Sequence, residues 1–401
     1  MMMRDDAEDD TAALRKEVRA WLEANWDGSL PPDQDRWNLS PATKAWLVKV
    51  FEAGWAVPTW PADWYGRGMT EQRADLIAEE FHQVGAPGAR QDRSNFIVRT
   101  IYHHADPGLK RKMIPALLKR EKGICLLYSE PSAGSDLAGI RTRADIGGTG
   151  YLINGQKVWT SGAAFADYAL LLARTDWDAT KHAGLTIFLF PMRQAGVEVK
   201  PLRQITDENH FNEVFLTNAR VEATQILGGL NNGWRVLQAA LAYERTALGD
   251  QSRAARHSAI SDDLIGLAQQ YGRLSDNALR QELAGVIALG KLHALNGARA
   301  RELRDNNEPS PLVSLGKLAM SRVLHEEARI RTSIVGVETL LCGPDHPLAD
   351  DANFLAFNAY FTSIGGGTDQ IQRNIISERI LGLPREPDPD RNIPFRQTRS
   401  G

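Results

Sequence analysis

Along the first third of the chain, apolar residues recur at helical spacing. In DDTAALRKEVRAWLEANW, Leu14, Val18 and Trp21–Leu22 fall on one face, and acidic residues gather at the start. The segment GWAVPTWPADWYGRGMT follows, where Gly and Pro break any regular element. Helices resume in TEQRADLIAEEFHQVG, expected to end at Gly85, and in DPGLKRKMIPALLKREKG, expected to end at Gly123. From residue 124 the period changes. ICLLYSE, YLINGQKVWTS, YALLLART, GLTIFLFPM, VEVKPLR and FNEVFLTNARVE are short apolar or alternating runs separated by Gly, Asn, Asp and Pro. Such runs predict a compact β unit and not a βαβ series.

After LGGLNNGW the helical period returns. NALRQELAGVIALGKLHALNGARARELRD places Leu279, Leu283, Val286, Ile287, Leu289 and Leu292 on one broad face, and further helices are expected over 312–342 and 368–381. The pattern divides the chain into a helical domain over 1–123, a β domain over 124–228, a helical domain over 229–385 and a tail over 386–401. The tail, PREPDPDRNIPFRQTRSG, is rich in Pro and charge and reads as an extended arm or as disorder.

Composition narrows the function classes. The 401 residues carry a net charge of −3, with 43% hydrophobic and 24% charged residues. That balance is ordinary for a globular protein and gives no reason to expect nucleic-acid or anionic-membrane binding. No window reaches the roughly 18–20 apolar residues of a membrane span. The acidic start MMMRDDAEDD has no apolar run of a signal peptide. Cys125 and Cys342 have neither metal nor redox spacing, and both read as buried packing residues. The expected location is a reducing cytoplasm.

Candidate chemistry sits in three stretches. LLYSEPSAGSDLAG follows an expected strand, and its Ser129, Gly134, Ser135 and Asp136 offer hydroxyls and backbone amides able to cradle a polar cofactor edge. In GQKVWTSGAAF, Trp159 precedes Thr160 and Ser161, so an indole wall stands beside two hydroxyls suited to a flat aromatic cofactor. In YFTSIGGGTDQIQRNIISERILG, three glycines, Gly365 to Gly367, lead through Thr368 into an amphipathic helix. That loop gives a ligand access to backbone amides but brings no catalytic side chain.

Together E-P-x-A-G-S-D, G-x-K-x-W and G-T-x-x-I-Q-R, in this order across nearly the whole chain, resemble the acyl-CoA dehydrogenase family of flavoproteins. FNEVFL and ERILGLPREP are most similar to its bacterial branch acting on sterol-derived and other bulky acyl-CoA thioesters. The resemblance implies an α+β three-domain fold: an N-terminal helical domain, a middle β-barrel-like domain and a C-terminal four-helix-bundle domain. It implies FAD as cofactor and α,β-dehydrogenation of an acyl-CoA, with electrons passed to an electron-transfer flavoprotein. Leu126, Tyr128 and Ser129 are then expected to line the flavin ring, and Ser135 to face the cofactor and the CoA. Trp159 and Thr160 are expected beside the ring, Ser161 near its N5 edge, and Thr368 and Gln370 at the FAD phosphate and ribose.

Many family members place the catalytic Glu just before the G-T of the closing loop, where this chain has Gly366. Another branch supplies it from a helix, and the matching stretch here is LAYERTALG. Glu244 is therefore the implied base for the α proton, with Arg245 balancing charge beside it and the Gly366 N–H gripping the thioester oxygen. Asp369 is the fallback carboxylate. Two cross-subunit FAD motifs, R-x-x-F-G and Q-x-x-G-G-x-G, are missing; the corresponding stretches are QQYGRLSDNALRQ, with Arg273 as a substitute, and SIVGVETLLCG. Either a homo-oligomer (dimer or tetramer) binds FAD with other residues, or a related subunit completes a heteromer. A flavin-anchoring subunit without activity of its own, an acyl-CoA oxidase and an acyl-carrier-protein substrate are the competing readings.

Overall fold

Helices form in the first third because apolar residues keep helical spacing and polar side chains cap the ends. Helix α1 (Met2–Asn25) buries Leu14, Val18 and Leu22. Ser40 accepts from the Thr43 N–H at 3.1 Å ahead of α2 (Pro41–Glu52), and Thr70 likewise caps α3 (Glu71–Gln83). After α4 (Gln91–Ser94) and α5 (Phe96–His104), Asp106 accepts from the Leu109 N–H at 2.9 Å and starts α6 (Pro107–Leu118). Each such cap contributes about 1 kcal/mol. Helix α6 stops well before Gly123, because Arg120, at φ +57°, already makes the left-handed exit expected of a glycine.

The computed structural model describes residues 2–33, 37–251, 263–305 and 312–398. They fall into two units: Met1–Leu202, Asn209–Ala247 and Asp390–Gly401 form the first, and Arg203–Glu208 and Leu248–Pro389 the second.

In the first unit the apolar runs become strands of one mixed sheet: β1 (Ile124–Leu127), β3 (Gly150–Ser161), β4 (Tyr168–Arg174), β5 (Leu185–Pro191), β6 (Val197–Leu202) and β7 (Phe211–Glu222). Two further strands were not expected, β2 (Arg143–Gly147) and the short β8 (Ile226–Leu227). β2 has one buried residue, Ala144, so its sequence carries almost no apolar signal. The order is β6-β7-β3-β2-β4-β5-β8, with β1 parallel to β4. One face buries Leu170, Leu172, Leu185, Ile187 and Leu189 against α5, α6 and Leu237 of α7 (Gly233–Gln251) in a single core. The opposite face holds a second core around Leu171, Phe188, Phe190 and Val214.

The second unit contains a helical stretch over 263–270, called α8 here, then α9 (Asn277–Asp305), α10 (Leu312–Val335), α11 (Pro347–Ile364) and α12 (Asp369–Ile375). Leu264, Leu267, Leu279, Leu283, Val286, Ile330 and Ile334 form its core. Leu292, expected on the same face, is exposed. α10 ends earlier than expected, and a short 3-10 helix, Gly336–Leu340, continues from it. α11 was not expected as a separate helix, because its apolar residues are not confined to one stripe: Phe354, Phe357, Tyr360, Phe361 and Ile364 are all exposed.

Cys125 is buried, and burial pushes its thiol up to about 12, whereas Cys342 is exposed, contrary to expectation. Cys342 lies in irregular chain just beyond the 3-10 helix that ends at Leu340. Among the described residues no helix is long and apolar enough to cross a membrane, and no cluster of His, Cys, Asp and Glu could hold a metal ion.

One buried ion pair ties the first unit together. Lys157 of β3 has no exposed side-chain surface. Its Nζ donates to Oε1 of Glu130 and to the Tyr128 carbonyl, both at 2.9 Å. Glu130 also accepts the N–H groups of Arg141 at 2.7 Å and Thr142 at 2.9 Å. Burial alone would raise the Glu130 carboxyl, but the Lys157 ammonium and these N–H donors hold it below the ordinary carboxylate range. Removing one partner of such a pair strands a buried charge. The Lys157→Met variant should lose about 3–5 kcal/mol of unfolding free energy in a urea titration at pH 7. A depressed folded value contributes stability that is complete above the unfolded carboxyl value, about 4.3, and fades as pH falls through the folded one. Thermal midpoints taken from pH 7 downwards should therefore fall on the acid side in the wild type, and this component should vanish in the variant.

Candidate active site

The chain just past β1 and the last residues of β3 lie side by side, and β3 satisfies the carbonyls of the neighbouring segment. The Val158 N–H donates to the Ser129 carbonyl at 3.0 Å, Lys157 Nζ to that of Tyr128, and Thr160 Oγ1 to that of Leu126 at 3.2 Å. Leu126, Tyr128, Ser129, Trp159, Thr160 and Ser161 are thus brought together in the first unit. The Thr160 hydroxyl is committed to the Leu126 carbonyl, whereas Ser129 and Ser161 are half-buried.

Trp159 owes its position to an irregular strand. The β3–β7 register shifts between Lys157 and Thr160, and Trp159 adopts φ +61°. A bulge of this kind re-aims a side chain. Val158 and Thr160 stay buried while the indole turns outwards, 58% exposed, with the Phe211 ring edge-on at 6.0 Å. A left-handed backbone at a bulky residue costs about 1–2 kcal/mol. Just beyond, Gly162 at φ +69° lies where an added Cβ would come within 2.1 Å of Nε1 of Trp37, so no other residue fits.

Two further groups converge here. The Tyr128 ring is buried and its phenol oxygen has no hydrogen-bond partner. Burial pushes this phenol far above its ordinary range, and the Glu244 carboxylate adds to the shift, so the carboxylate acts on this phenol. Glu244 lies on α7 one helical repeat beyond Leu237 and Leu241, which pack into the same core as Tyr128. The spacing i, i+4, i+7 continues that stripe, and Glu244 is half-buried. Its neighbour Tyr243 lies under the guanidinium of Arg99 at 4.4 Å. Arg245 is in α7, but its side chain lies outside the described residues. Ser135 is exposed on the loop between β1 and β2.

Gly366, Thr368 and Gln370 belong to the second unit, in the turn from α11 to α12. Gly366 and Gly367 adopt φ +67° and +89°. A Cβ on Gly366 would meet nothing within 4 Å, so the left-handed backbone, not lack of space, is what favours glycine. Thr368 caps α12, its hydroxyl accepting from the Ile371 N–H at 3.1 Å, and Gln370 is exposed. Asp369 stands 3.7 Å from Nζ of Lys317. Arg273 is held by Asp276 at 2.9 Å and by the Ser333 carbonyl at 3.1 Å.

Sequence reasoning missed the buried pair of Lys157 and Glu130, the orphaned Tyr128 phenol and the buried Arg174. The pair left no local signal, since Lys157 follows the polar Asn154 and Gln156 in β3.

Helices, a mixed sheet and helices in turn, with an outward indole beside hydroxyls and a carboxylate on an adjoining helix, define a flavoprotein type of oxidoreductase. The chain belongs to the acyl-CoA dehydrogenase family. The family's N-terminal domain matches residues 8–121, its middle domain 125–219 and its C-terminal domain 231–381. Acyl-CoA dehydrogenase IpdE1 of Mycolicibacterium smegmatis is 33% identical over 93% of this chain and 98% of its own length. IpdE1 of Mycobacterium tuberculosis is 32% identical over 94% and 99%. Among solved structures, the Tcur3481-Tcur3483 steroid ACAD is similar with a TM-score of 0.75, at 25% identity over 94% of this chain and 98% of that one. The ChsE4-ChsE5 complex from Mycobacterium tuberculosis gives 0.71, at 26% identity over 94% and 98%.

The outward indole yields a paired test. Trp159→Ala keeps the unfavourable backbone and Trp159→Gly relieves it, so the glycine variant should be more stable by about 1 kcal/mol in urea unfolding. Both variants should purify with less bound flavin than the wild type, measured as the ratio of visible to protein absorbance.

Proposed function

We propose that this protein is an FAD-dependent acyl-CoA dehydrogenase that takes Glu244 as its base and acts on a bulky acyl chain. The observation that carries the reading is the Glu244 carboxylate, half-buried on the core-facing stripe of α7 and felt by the buried Tyr128 phenol. A carboxylate partly shielded from water at a fixed place suits abstraction of a weakly acidic α proton. The residues present fit a flavin: the exposed Trp159 indole offers a flat wall, and the Ser129 and Ser161 hydroxyls offer donors for ring heteroatoms. When bound, the flavin supplies a two-electron acceptor for the β hydrogen as hydride. In this reading Glu244 takes the α proton onto a carboxylate oxygen, and the electron pair of that C–H bond becomes the new C=C bond. Leu126, Tyr128, Ser129, Trp159, Thr160 and Ser161 orient the ring and keep water from it, and Ser135 faces the CoA. Thr368 and Gln370 hold the phosphate and ribose, Arg245 balances the charge of the base, and the Gly366 N–H donates to a thioester oxygen. An electron-transfer flavoprotein is the proposed acceptor and the cytoplasm the proposed location.

Relatives named for steroid substrates support a bulky acyl group. A heteromer with a related subunit is favoured by one specific observation. Arg273, in the place of the missing FAD-diphosphate arginine, is engaged by Asp276 and Ser333 within its own unit. The ChsE4-ChsE5 structure, by its title a complex of two components, is consistent with that assembly.

Two measurements test these readings. Glu244→Gln should retain flavin and lose turnover by about 10²–10⁴-fold; near-normal turnover would remove Glu244 as the base. Flavin released and counted per chain should come out near one for a self-sufficient homo-oligomer. A value well below one for the chain alone, restored by a co-expressed related subunit, would establish the heteromer.

A further inference from the structure

Residues 390–398 of the tail belong to the first unit and are anchored there. The Phe395 N–H donates to the Ala179 carbonyl at 2.9 Å and the Arg396 N–H to that of Trp177 at 3.1 Å, while Pro394 bridges to Thr180. The Phe395 ring is 2% exposed. Its face lies over the guanidinium of Arg174 at 3.4 Å, and Trp177 packs beside it at 5.6 Å.

Arg174, the last residue of β4, has no exposed surface. Its hydrogen bonds go to backbone carbonyls: Ala138 at 2.7 Å, Lys181 at 3.1 Å and Ile140 at 3.3 Å, while Nη1 has no partner. Burial pushes this guanidinium down to about 10. The ring face of Phe395 therefore supplies stabilisation that no carboxylate hydrogen bond provides.

The Ala138 and Ile140 carbonyls lie on the loop that presents Ser135, and that of Lys181 on the connection between β4 and β5. Upstream the loop is closed by paired backbone hydrogen bonds between Glu130 and Ala133. In its middle, Asp136 meets Nζ of Lys181 at 2.5 Å. Downstream its place is set by Arg174 through Ala138 and Ile140. Ser135 itself is exposed between these points.

We propose that Phe395 and Arg174 are positioning residues: the C-terminal arm, through its ring on the guanidinium, locks the Ser135 loop in the form that receives the CoA part of the substrate. The loop's role towards CoA rests on the function proposed above, whereas the lock stands on the contacts alone. The arm thereby couples the end of the chain to a ligand-binding loop formed more than two hundred residues earlier.

The test uses the full-length protein with Phe395→Leu, which stays apolar but removes the π face. Val221→Ala, a truncation in the other core of the same unit, is the control for general loosening. Free coenzyme A is titrated by calorimetry, and the rate of tryptic cleavage after the exposed Arg141 is followed by mass spectrometry. Phe395→Leu should weaken coenzyme A binding and speed the cleavage, each by about tenfold, with Val221→Ala near the wild type in both. Wild-type behaviour of Phe395→Leu, or equal changes in Val221→Ala, overturns the lock. If the wild type does not bind coenzyme A at all, the acyl-CoA reading fails, and the cleavage rates alone decide the lock.

Discussion

The Lys157 ammonium is the fixed point of the first unit. It sits fully buried between a backbone carbonyl and the Glu130 carboxylate, which itself receives two N–H groups from residues 141 and 142. As a source of stability such a pair is unremarkable, because desolvation of both charges offsets most of their attraction, and well-packed apolar residues can do as well. What an apolar pair would lack is direction. The ammonium accepts only positions that satisfy Tyr128 and Glu130 together, so it sets the register of β3 against the chain beyond β1. Every proposed flavin-wall residue lies within a few positions of one of those anchors.

That rigidity explains why Trp159 can stand in a left-handed backbone. A bulky residue in that region returns to extended geometry unless its neighbours forbid it. Here Lys157 is held two residues before it and Thr160, bonded to the Leu126 carbonyl, one residue after. The strand has one residue more than its ladder partner between these points, and the excess emerges as the outward indole. The same logic extends to the next loop. Glu130 closes its near end through paired backbone bonds with Ala133, and its far end is held by Arg174 and by the Glu130 carboxylate, which accepts from residues 141 and 142.

Much of this was legible in the sequence, and the rest was hidden for identifiable reasons. The principal strands were read from short apolar or alternating runs, and the helical flanks from apolar spacing with glycine ends. β2 was missed because a strand with a single buried residue leaves no period to detect, and α11 because its apolar residues surround the helix. The candidate site motifs were visible as composition: a polar Ser/Gly loop, an indole beside hydroxyls and a glycine loop, with the carboxylate Glu244 implied only by the family resemblance. The pairing of Lys157 with Glu130 was not visible, since partners 27 positions apart are chosen by the sheet and not by local spacing. Phe395 was hidden for a related reason. A lone aromatic in a Pro-rich, charged tail reads as solvated chain until the arginine it covers is known. Thr160 shows the converse, a hydroxyl beside Trp159 whose proton goes to the Leu126 carbonyl.

Gly366 and Glu244 together bear on why a family would move its base. A carboxylate on this glycine turn would sit on backbone with nothing near a Cβ at Gly366, and at φ +67° any side chain would add strain. A carboxylate at the end of the Leu237–Leu241 stripe instead inherits the rigidity of a packed helix, and a site built on a helix holds its geometry more closely than one built on a loop. In the proposed assignment the turn is then free to be glycine, and its contribution would reduce to backbone N–H groups, which need φ values that side chains resist. Separating the two tasks lets each use the backbone that suits it: a helix for the group that must hold a proton-accepting position, and a glycine turn for donors that must come close to a ligand.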